Sequence, residues 1–483
     1  MMGTLDLRPL FPAFIVAVTG LTVLLLRAFT PPGRRAPAAE ISLVGLGGAL
    51  LAVFLVASGG GPVAVTGGSV TADDFALFTQ GLILGIGVLT VLLSPSYLRA
   101  TGMERVEYYA LVLFAIVGML GLVSCLELVS LFVALEIMSI ALYGLAGLQR
   151  LRPESQEASL KYFLTGAFSS AFFLYGVALL YGVSGSTTLG EIASAVSRLP
   201  AGGASLAVLG AGLLLVGFGF KVGSVPFHMW VPDVYEGAPT TVTALMSAGV
   251  KAAAFGALLR VFTSGLAGLA AGWKPAVAVL AIVTMVFGNL GALAQSNLKR
   301  MLAYSSVAHA GYLLTALVAV PAVGAEAVLF YLVAYAAVNL GAFGALAALA
   351  GQGREPLSLS DVAGLATRRP ALAAALTVFL ISLTGVPVSA GFVGKFYLFG
   401  AAVSAGRTVL AVVGVLMSVV SAYYYLRVVV AMYMREPTAD DAWGPVSTGS
   451  ALALAVSVAV VLGLGVYPGP VLALARQAAR SLQ

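Results

Sequence analysis

Fourteen apolar stretches, most of them about 18–25 residues long, follow one another from end to end of the chain with only short polar connections between them. An α-helix of that length crosses the roughly 30 Å of hydrocarbon in a bilayer. The stretches fall near 10–27, 41–58, 73–93, 107–124, 126–148, 158–183, 205–230, 240–263, 273–293, 299–319, 325–350, 371–404, 408–433 and 446–467. The pattern predicts an all-α polytopic membrane protein with about 14 transmembrane helices. The largest loops, near 184–204 and 351–370, hold only about 20 residues, too few for a soluble domain, so 1–483 reads as one membrane domain. Arg27, Arg34 and Arg35 follow the first stretch without a small-residue cleavage site ahead of a soluble domain, which argues against a removed signal peptide.

Two spans break the pattern in the same way, with Gly and Pro interrupting the apolar run beside a lysine. The first reads Phe218-Gly219-Phe220-Lys221-Val222-Gly223-Ser224-Val225-Pro226, and the second runs from Gly385-Val386-Pro387 to Gly394-Lys395. Proline lacks an N–H and clashes with the carbonyl four residues back, so Pro226 frees the carbonyl of Val222 and Pro387 that of Leu383. Both helices are predicted to break there, each break facing protein or a hydrated cavity rather than lipid. They are the seventh and twelfth spans, five apart, and therefore cross the membrane in opposite directions. Matched interruptions in two halves point to inverted repeats. The expected organisation is an N-terminal three-helix segment over 1–100, a first five-helix repeat over 105–265 (spans 4–8), a second over 270–435 (spans 9–13), and a last helix with tail over 440–483. If Tyr143 is set against Tyr312, Glu136 falls opposite Ser305, so only the first half has a mid-membrane carboxylate.

Composition agrees with the membrane assignment: 60% of residues are hydrophobic, 9% are charged, and the mean hydropathy is +1.04. The net charge of +6 would suggest nucleic acid in a soluble protein, but here the charges are confined to short loops and report topology. The loop side that includes Arg27, Arg34, Arg35, Arg99, Arg105, Arg150, Arg152, Lys299, Arg300, Arg354, Arg368, Arg369 and Arg435 outweighs the side with Arg8, Arg198, Arg260, Lys274, Arg407, Arg476 and Arg480. The bias places both termini outside the cytoplasm. Cys125 is the only cysteine, which excludes an internal disulfide and a thiolate cage for zinc or an iron–sulfur cluster. Gly217, Gly219 and Gly223 lack the full dinucleotide spacing and fit close helix packing.

Against this background the ionisable residues inside apolar runs stand out, because charge near the bilayer centre costs at least about 2.5–3.5 kcal/mol and marks ion or proton pathways. Glu136 lies about nine residues into its span, near mid-membrane, where a short side chain cannot snorkel. Lys221 sits at the first break, where freed carbonyls and water oppose desolvation and poise it to gain and lose a proton. Lys251 and Lys395 are likewise too deep to snorkel. Lys161 is close enough to the start of its span to lift its amine to the interface. Arg427 is expected to snorkel or pair locally, and Glu127 to be a helix-end acid. His228 and His309, with ordinary values of about 6.5, can relay protons or serve as hydrogen-bonded groups between helices. Asp233 to Pro239 reads as an acidic, solvated connection.

These residues carry a resemblance. The run KVGSVPFHMWVPDVYEGAP from Lys221 to Pro239, Leu135-Glu136-Ile137-Met138-Ser139, and Asn297-Leu298-Lys299-Arg300-Met301-Leu302-Ala303-Tyr304-Ser305-Ser306 resemble hallmarks of the antiporter-like membrane subunits of respiratory complex I. The resemblance covers nearly the whole chain and is strongest to the subunit N type, given Tyr235-Glu236-Gly237-Ala238-Pro239, Lys395 where the M type has glutamate, and an expected absence of the long lateral helix of the L type. It implies a proton-translocating subunit in a bacterial plasma membrane, with Glu136 and Lys221 as an interacting pair, Lys251 as a connector, Lys395 as the second-half site and Lys161 as a further family lysine. It further implies no cofactor in this chain, with NADH, FMN, iron–sulfur clusters and quinone in the parent complex, and K-, J- and M-type membrane subunits as partners, not nucleic acid. A free-standing Na⁺/H⁺ antiporter subunit and a non-transporting spacer remain the alternative classes.

Overall fold

In the computed structural model, which describes residues 6–31, 36–59, 63–64, 68–200, 203–320, 323–351, 354–437 and 444–482, all fourteen expected spans are helical. The first three are α1 (Phe11–Phe29), α2 (Ala38–Ser58) and α3 (Asp74–Ala100), with two short antiparallel strands, β1 (Val63–Ala64) and β2 (Thr71–Ala72), before α3. Spans 4 to 6 are α4 (Val106–Ser124), α5 (Leu128–Ala146) and α6 (Pro153–Ser184), followed by a short surface helix, α7 (Leu189–Ser197). Span 7 is split into α8 (Ser205–Val222) and α9 (Trp230–Gly237). Span 8 consists of α10 (Thr240–Leu245), a π-helical turn over Met246–Val250, α11 (Lys251–Arg260) and a second π-helical turn over Val261–Gly265. Then come α12 (Ala270–Leu293), α13 (Leu298–Leu317), α14 (Gly324–Ala348) and the short α15 (Leu365–Arg368). Span 12 is split into α16 (Pro370–Thr384) and α17 (Ala390–Ser404), and α18 (Thr408–Met434), α19 (Thr448–Val466) and α20 (Gly469–Arg480) complete the chain.

Twelve of the helical segments are long and apolar enough to span alone, and α13 with the split α16/α17 brings the number to fourteen. Arg34 and Arg35 lie outside the described residues. The helix starts follow from local chemistry: Asp73, Glu127, Asn297, Ser389 and Ser447 accept backbone N–H groups at the starts of α3, α5, α13, α17 and α19. The span α6 begins at Pro153, five residues earlier than expected, because proline is accommodated in a first turn that needs no donor. Conversely, α3 continues through Pro95 to Ala100, beyond the end of the apolar stretch at residue 93.

Close packing repeats between the halves. A Cβ on Gly118 of α4 would meet Met138 N of α5 at 2.4 Å, and one on Gly288 of α12 would meet Ala308 N of α13 at 2.5 Å. Each glycine lets span 4 or 9 press against the backbone of span 5 or 10. Span 8 is buried throughout and α14 almost so, making these two helices the centre of the molecule.

At the breaks, Pro226 lines an apolar pocket with Phe168, Phe172, Val216 and Met229, Val388 O packs against Gly465 of α19, and the side chains of Val386, Pro387 and Val388 are exposed on the isolated chain. The polar backbone turns inward: Val225 N–H donates to Thr284 Oγ1 (3.0 Å), the indole of Trp230 to Phe220 O (3.1 Å), and Gly391 N–H to Ser382 Oγ (3.0 Å). Satisfied internally, the breaks can present apolar side chains to a nonpolar surface.

Candidate functional site

The helix α8 ends at Gly223, whose left-handed backbone (φ 74°) lets its own N–H and that of Ser224 return to Phe220 O (3.1 Å) and Gly219 O (2.8 Å). Lys221 is thereby fixed in the last helical turn, where the negative end of the helix dipole favours a cation. It is 3% exposed, donates to Ser139 Oγ on α5 (2.7 Å), and its Nζ faces the rings of Phe220 (5.3 Å), Tyr143 and Tyr162 (both 5.7 Å). Ser139 in turn donates to Leu135 O. Glu136, one turn away on the same helix, accepts from Ser170 Oγ of α6 and has no nitrogen of Lys221 within 4.0 Å. The implied pair is therefore not a direct ion pair; Ser139 stands at the ammonium and Ser170 at the carboxylate. Glu136 is partly exposed among the exposed Val133, Ile137 and Ile140.

From Lys221 an aromatic wall leads toward the second half: Tyr162 stacks on Trp230 (centroids 4.5 Å), and Trp230 meets Tyr235 edge-on (6.2 Å). The Tyr162 hydroxyl is buried without a partner among the described residues. Lys251 begins α11 directly after the first π-helical turn, a geometry that often marks functional positions. Its ammonium donates to both the carbonyl and the hydroxyl of Ser306 (Oγ 2.7 Å) and lies 5.3 Å from the Tyr335 ring.

One helical turn beyond Ser306, His309 is held between Tyr331 at Nδ1 and Tyr425 at Nε2 (3.2 Å), with Tyr335 and Tyr312 rings 5.2 and 5.1 Å away. Ser305, opposite Glu136 in the repeat alignment, bonds Tyr425. Lys395 lies 4.9 Å from the Tyr312 ring and donates to Leu383 O (2.8 Å) and Thr384 O (3.0 Å). The Leu383 carbonyl is the one Pro387 was expected to free. Both central ammoniums thus sit at the carbonyl end of the first half of a broken span, Lys221 as part of that half and Lys395 reaching back from the second.

Two candidates stand apart. Lys161, 44% exposed, pairs with Glu157 (2.5 Å) and Asp233 (2.7 Å) at the arginine-rich face and is a surface group, not a mid-membrane one. His228 lies half-buried in the first break, and no hydrogen bond joins it to another candidate residue. Asp233 to Gly237 forms a helix rather than a solvated loop, and Asp233 and Glu236 both bind Arg300 at 2.7 Å. Arg427 pairs locally, donating to Gln295 O (2.5 Å).

Two buried clusters escaped sequence reasoning. Glu355, from the loop after α14, accepts from Tyr97, Thr240 Oγ1 (2.7 Å) and Arg152 (3.0 Å), with Lys299 Nζ at 3.5 Å. Burial pushes its carboxyl up, but Lys299, the two hydroxyls and Arg152 outweigh this and hold it near 2. Lys299, counted as a loop charge, is fully buried and also donates to Ala238 O (2.7 Å). Arg260, read as a loop charge of the opposite face, is 2% exposed and forms a two-point ion pair with Asp73 (2.7 and 2.8 Å). Its place in the apolar run after Lys251 was the available signal.

The family described as NADH:quinone oxidoreductase/Mrp antiporter, TM, matches residues 125–421. NADH-quinone oxidoreductase subunit N of Trichlorobacter lovleyi is 44% identical over 477 residues, covering 99% of this chain and 98% of its own; that of Chloroflexus aggregans is 44% identical over 479 residues, covering 98% and 97%. A chain of respiratory complex I from Thermus thermophilus superposes with a TM-score of 0.82 at 39% identity, covering 96% of this chain and 98% of that one. A chain of the Mrp complex from Dietzia shares the fold (TM-score 0.86, 24% identity, 99% and 98% covered). The chain belongs to the NADH:quinone oxidoreductase/Mrp antiporter family, within its NADH-quinone oxidoreductase subunit N group.

Proposed function

We propose that this chain translocates protons as a subunit of an NADH:quinone oxidoreductase in a bacterial plasma membrane, through a relay from Glu136 and Lys221 by way of Lys251 and His309 to Lys395. The observation that carries this reading is the unbroken run of contacts from Lys251 through Ser306, Tyr335, His309 and Tyr312 to Lys395 in the buried centre. In the relay, the Glu136 charge, acting across Ser139 and Ser170, favours Lys221 as an ammonium. When a neighbouring subunit draws that charge away, Lys221 releases its proton toward Lys251. Each pKa unit exchanged between the two states is worth about 1.4 kcal/mol, so shifts of several units drive uphill transfer. The family sets the chain in an enzyme complex; NADH, FMN, iron–sulfur clusters and quinone belong to other subunits in this reading, which agrees with a single cysteine.

The partly exposed Glu136 supports a membrane subunit of K or J type lying over α5, since a carboxylate at mid-membrane is poorly tolerated against lipid. An M-type subunit occupies the other side. The charge bias supports an arginine-rich face in the cytoplasm and both termini outside it.

Substitution at Lys221 in the assembled complex tests the relay. Lys221→Ala lowers proton pumping and coupled quinone reduction while NADH oxidation by an artificial acceptor persists. Lys221→Arg fails as well, because a guanidinium does not release its proton near neutral pH. Near-normal pumping by the arginine variant, at matched subunit content, would rule out obligatory proton release by Lys221, and intact coupling after loss of all the central lysines would favour a spacer. Na⁺/H⁺ exchange by the purified chain alone would favour the stand-alone antiporter.

A further inference from the structure

We propose that the buried Asp73–Arg260 ion pair is a charge lock on the proton relay, barring protons from passing between Lys251 and the face opposite the arginine-rich one. The proposal rests on the relay reading above. Lys251 and Arg260 are the first and last residues of α11, and each end of that helix adjoins a π-helical turn. Nine steps of about 1.5 Å separate the two backbone positions by about 14 Å along the span, one at the relay and the other nearer the opposite face.

The guanidinium is held from three sides. Asp73 accepts from Nη1 and Nη2, Val123 O accepts from Nε (3.2 Å), and the Phe75 ring lies 4.8 Å from the central carbon. Asp73 is itself anchored, since it caps α3 by accepting Ala76 N–H at 2.7 Å. Seven residues along α3 from Asp73, Gln80 is 2% exposed; it donates to Ser124 Oγ (2.7 Å), next in sequence to Val123, while its Oε1 is buried without a partner among the described residues. An unpartnered acceptor there is what a hydrated segment requires. On the far side, the chain end covers the pair: Phe75 N–H donates to Ser481 Oγ (3.0 Å), Gln477 to Asp74 (3.1 Å), and Ser264 to Leu482 O (3.0 Å).

Stability does not account for the pair, because exchanging a buried ion pair for neutral groups of similar shape is often neutral or stabilising. Its chemistry suits exclusion. A guanidinium does not release its proton near neutral pH, so it cannot pass one on, and it occupies both oxygens of Asp73. Lysine in its place would preserve the charge.

The test uses the complete complex in proteoliposomes with NADH withheld, the membrane potential clamped, and proton entry followed after an imposed pH step. Arg260→Gln combined with Asp73→Asn removes both charges and leaves no lone buried charge. The lock predicts at least about tenfold faster passive proton entry, the change expected from removing a barrier of about 1.4 kcal/mol. Arg260→Lys should retain the slow entry of the parent, and Lys251→Ala added to the neutral pair should suppress the leak. Entry at the parental rate in the neutral pair overturns the lock whatever Lys221 variants do. Failure of the neutral pair to assemble while Arg260→Lys assembles also overturns it, since the pair is then scaffold. A leak that survives Lys251→Ala also overturns the lock, since those protons bypass Lys251, and leaves the relay to be judged by the Lys221 variants.

Discussion

At the scale of single residues, Glu355 shows how a charge can be essential without moving a proton. Its carboxylate joins α3, the starts of α6, α10 and α13, and its own loop, and holds its proton only near pH 2 against an ordinary value of 4.5. The difference amounts to about 3 kcal/mol of stabilisation. Because the folded value is depressed, that contribution is fully present above pH 4.5 and fades as the pH falls toward 2. Between pH 5 and 9, Glu355 is therefore expected to add no inflection to the pH–rate profile of the complex. Glu355→Gln leaves the buried Lys299 without its carboxylate, while Arg152 keeps Glu154 (3.3 Å), and should destabilise by about 3 kcal/mol. Thermal unfolding of the purified complex measures this; an unshifted transition would remove Glu355 from the scaffold.

Elements show where the sequence was legible and where it was not. Fourteen spans and two breaks follow from apolar run length and the chemistry of proline, both local properties. Lys221, Lys251 and Lys395 stood out because they interrupt those runs, and the Leu383 carbonyl that proline frees is the one Lys395 occupies. Arg260 interrupts a run in the same way, yet its nearness to a span end concealed it, because its partner Asp73 is 187 residues away. Glu355 gave no local signal, since all four of its partners are distant in sequence. The helix α20, anticipated only as a tail, has a readable pattern: Ala475, Ala478 and Ala479 are buried while Arg476 reaches Glu326 (2.9 Å). The break in span 12 allows a sharp prediction at this scale. A Cβ on Gly391 would approach Ser382 O to 1.9 Å, so Gly391→Ala must push α17 from the end of α16 and pull Lys395 from its carbonyls. Pumping should fall while Gly400→Ala, with open space around it, leaves pumping unchanged. Equal activity of the two variants would show that the geometry of the break does not set the function of Lys395.

For the whole molecule, orientation decides what the relay and the lock mean. Loops alternate faces with each span, and bridges between distant loops fix which belong together: Val70 with Cys125 and Glu127 with Thr188 on one face, Asn297 with Ser358 on the other. The second face holds the dense ion-pair network of Lys161, Asp233, Arg300 and Glu236, and the first holds the Asp73–Arg260 pair and α20. If the positive-inside bias governs, the network faces the cytoplasm and the lock faces outward, so that it bars external protons from reaching Lys251. Cys125 is the only cysteine and is buried, which makes the chain suited to labelling. Cysteines introduced at Leu151, fully exposed on the network face, and at Tyr467, 72% exposed near the lock face, should react oppositely with an impermeant maleimide. In right-side-out vesicles the residue-467 cysteine is labelled and the residue-151 cysteine only after permeabilisation. The reverse pattern would invert the molecule, place the termini in the cytoplasm, and turn a lock against entry from outside into one that guards the cytoplasmic entrance.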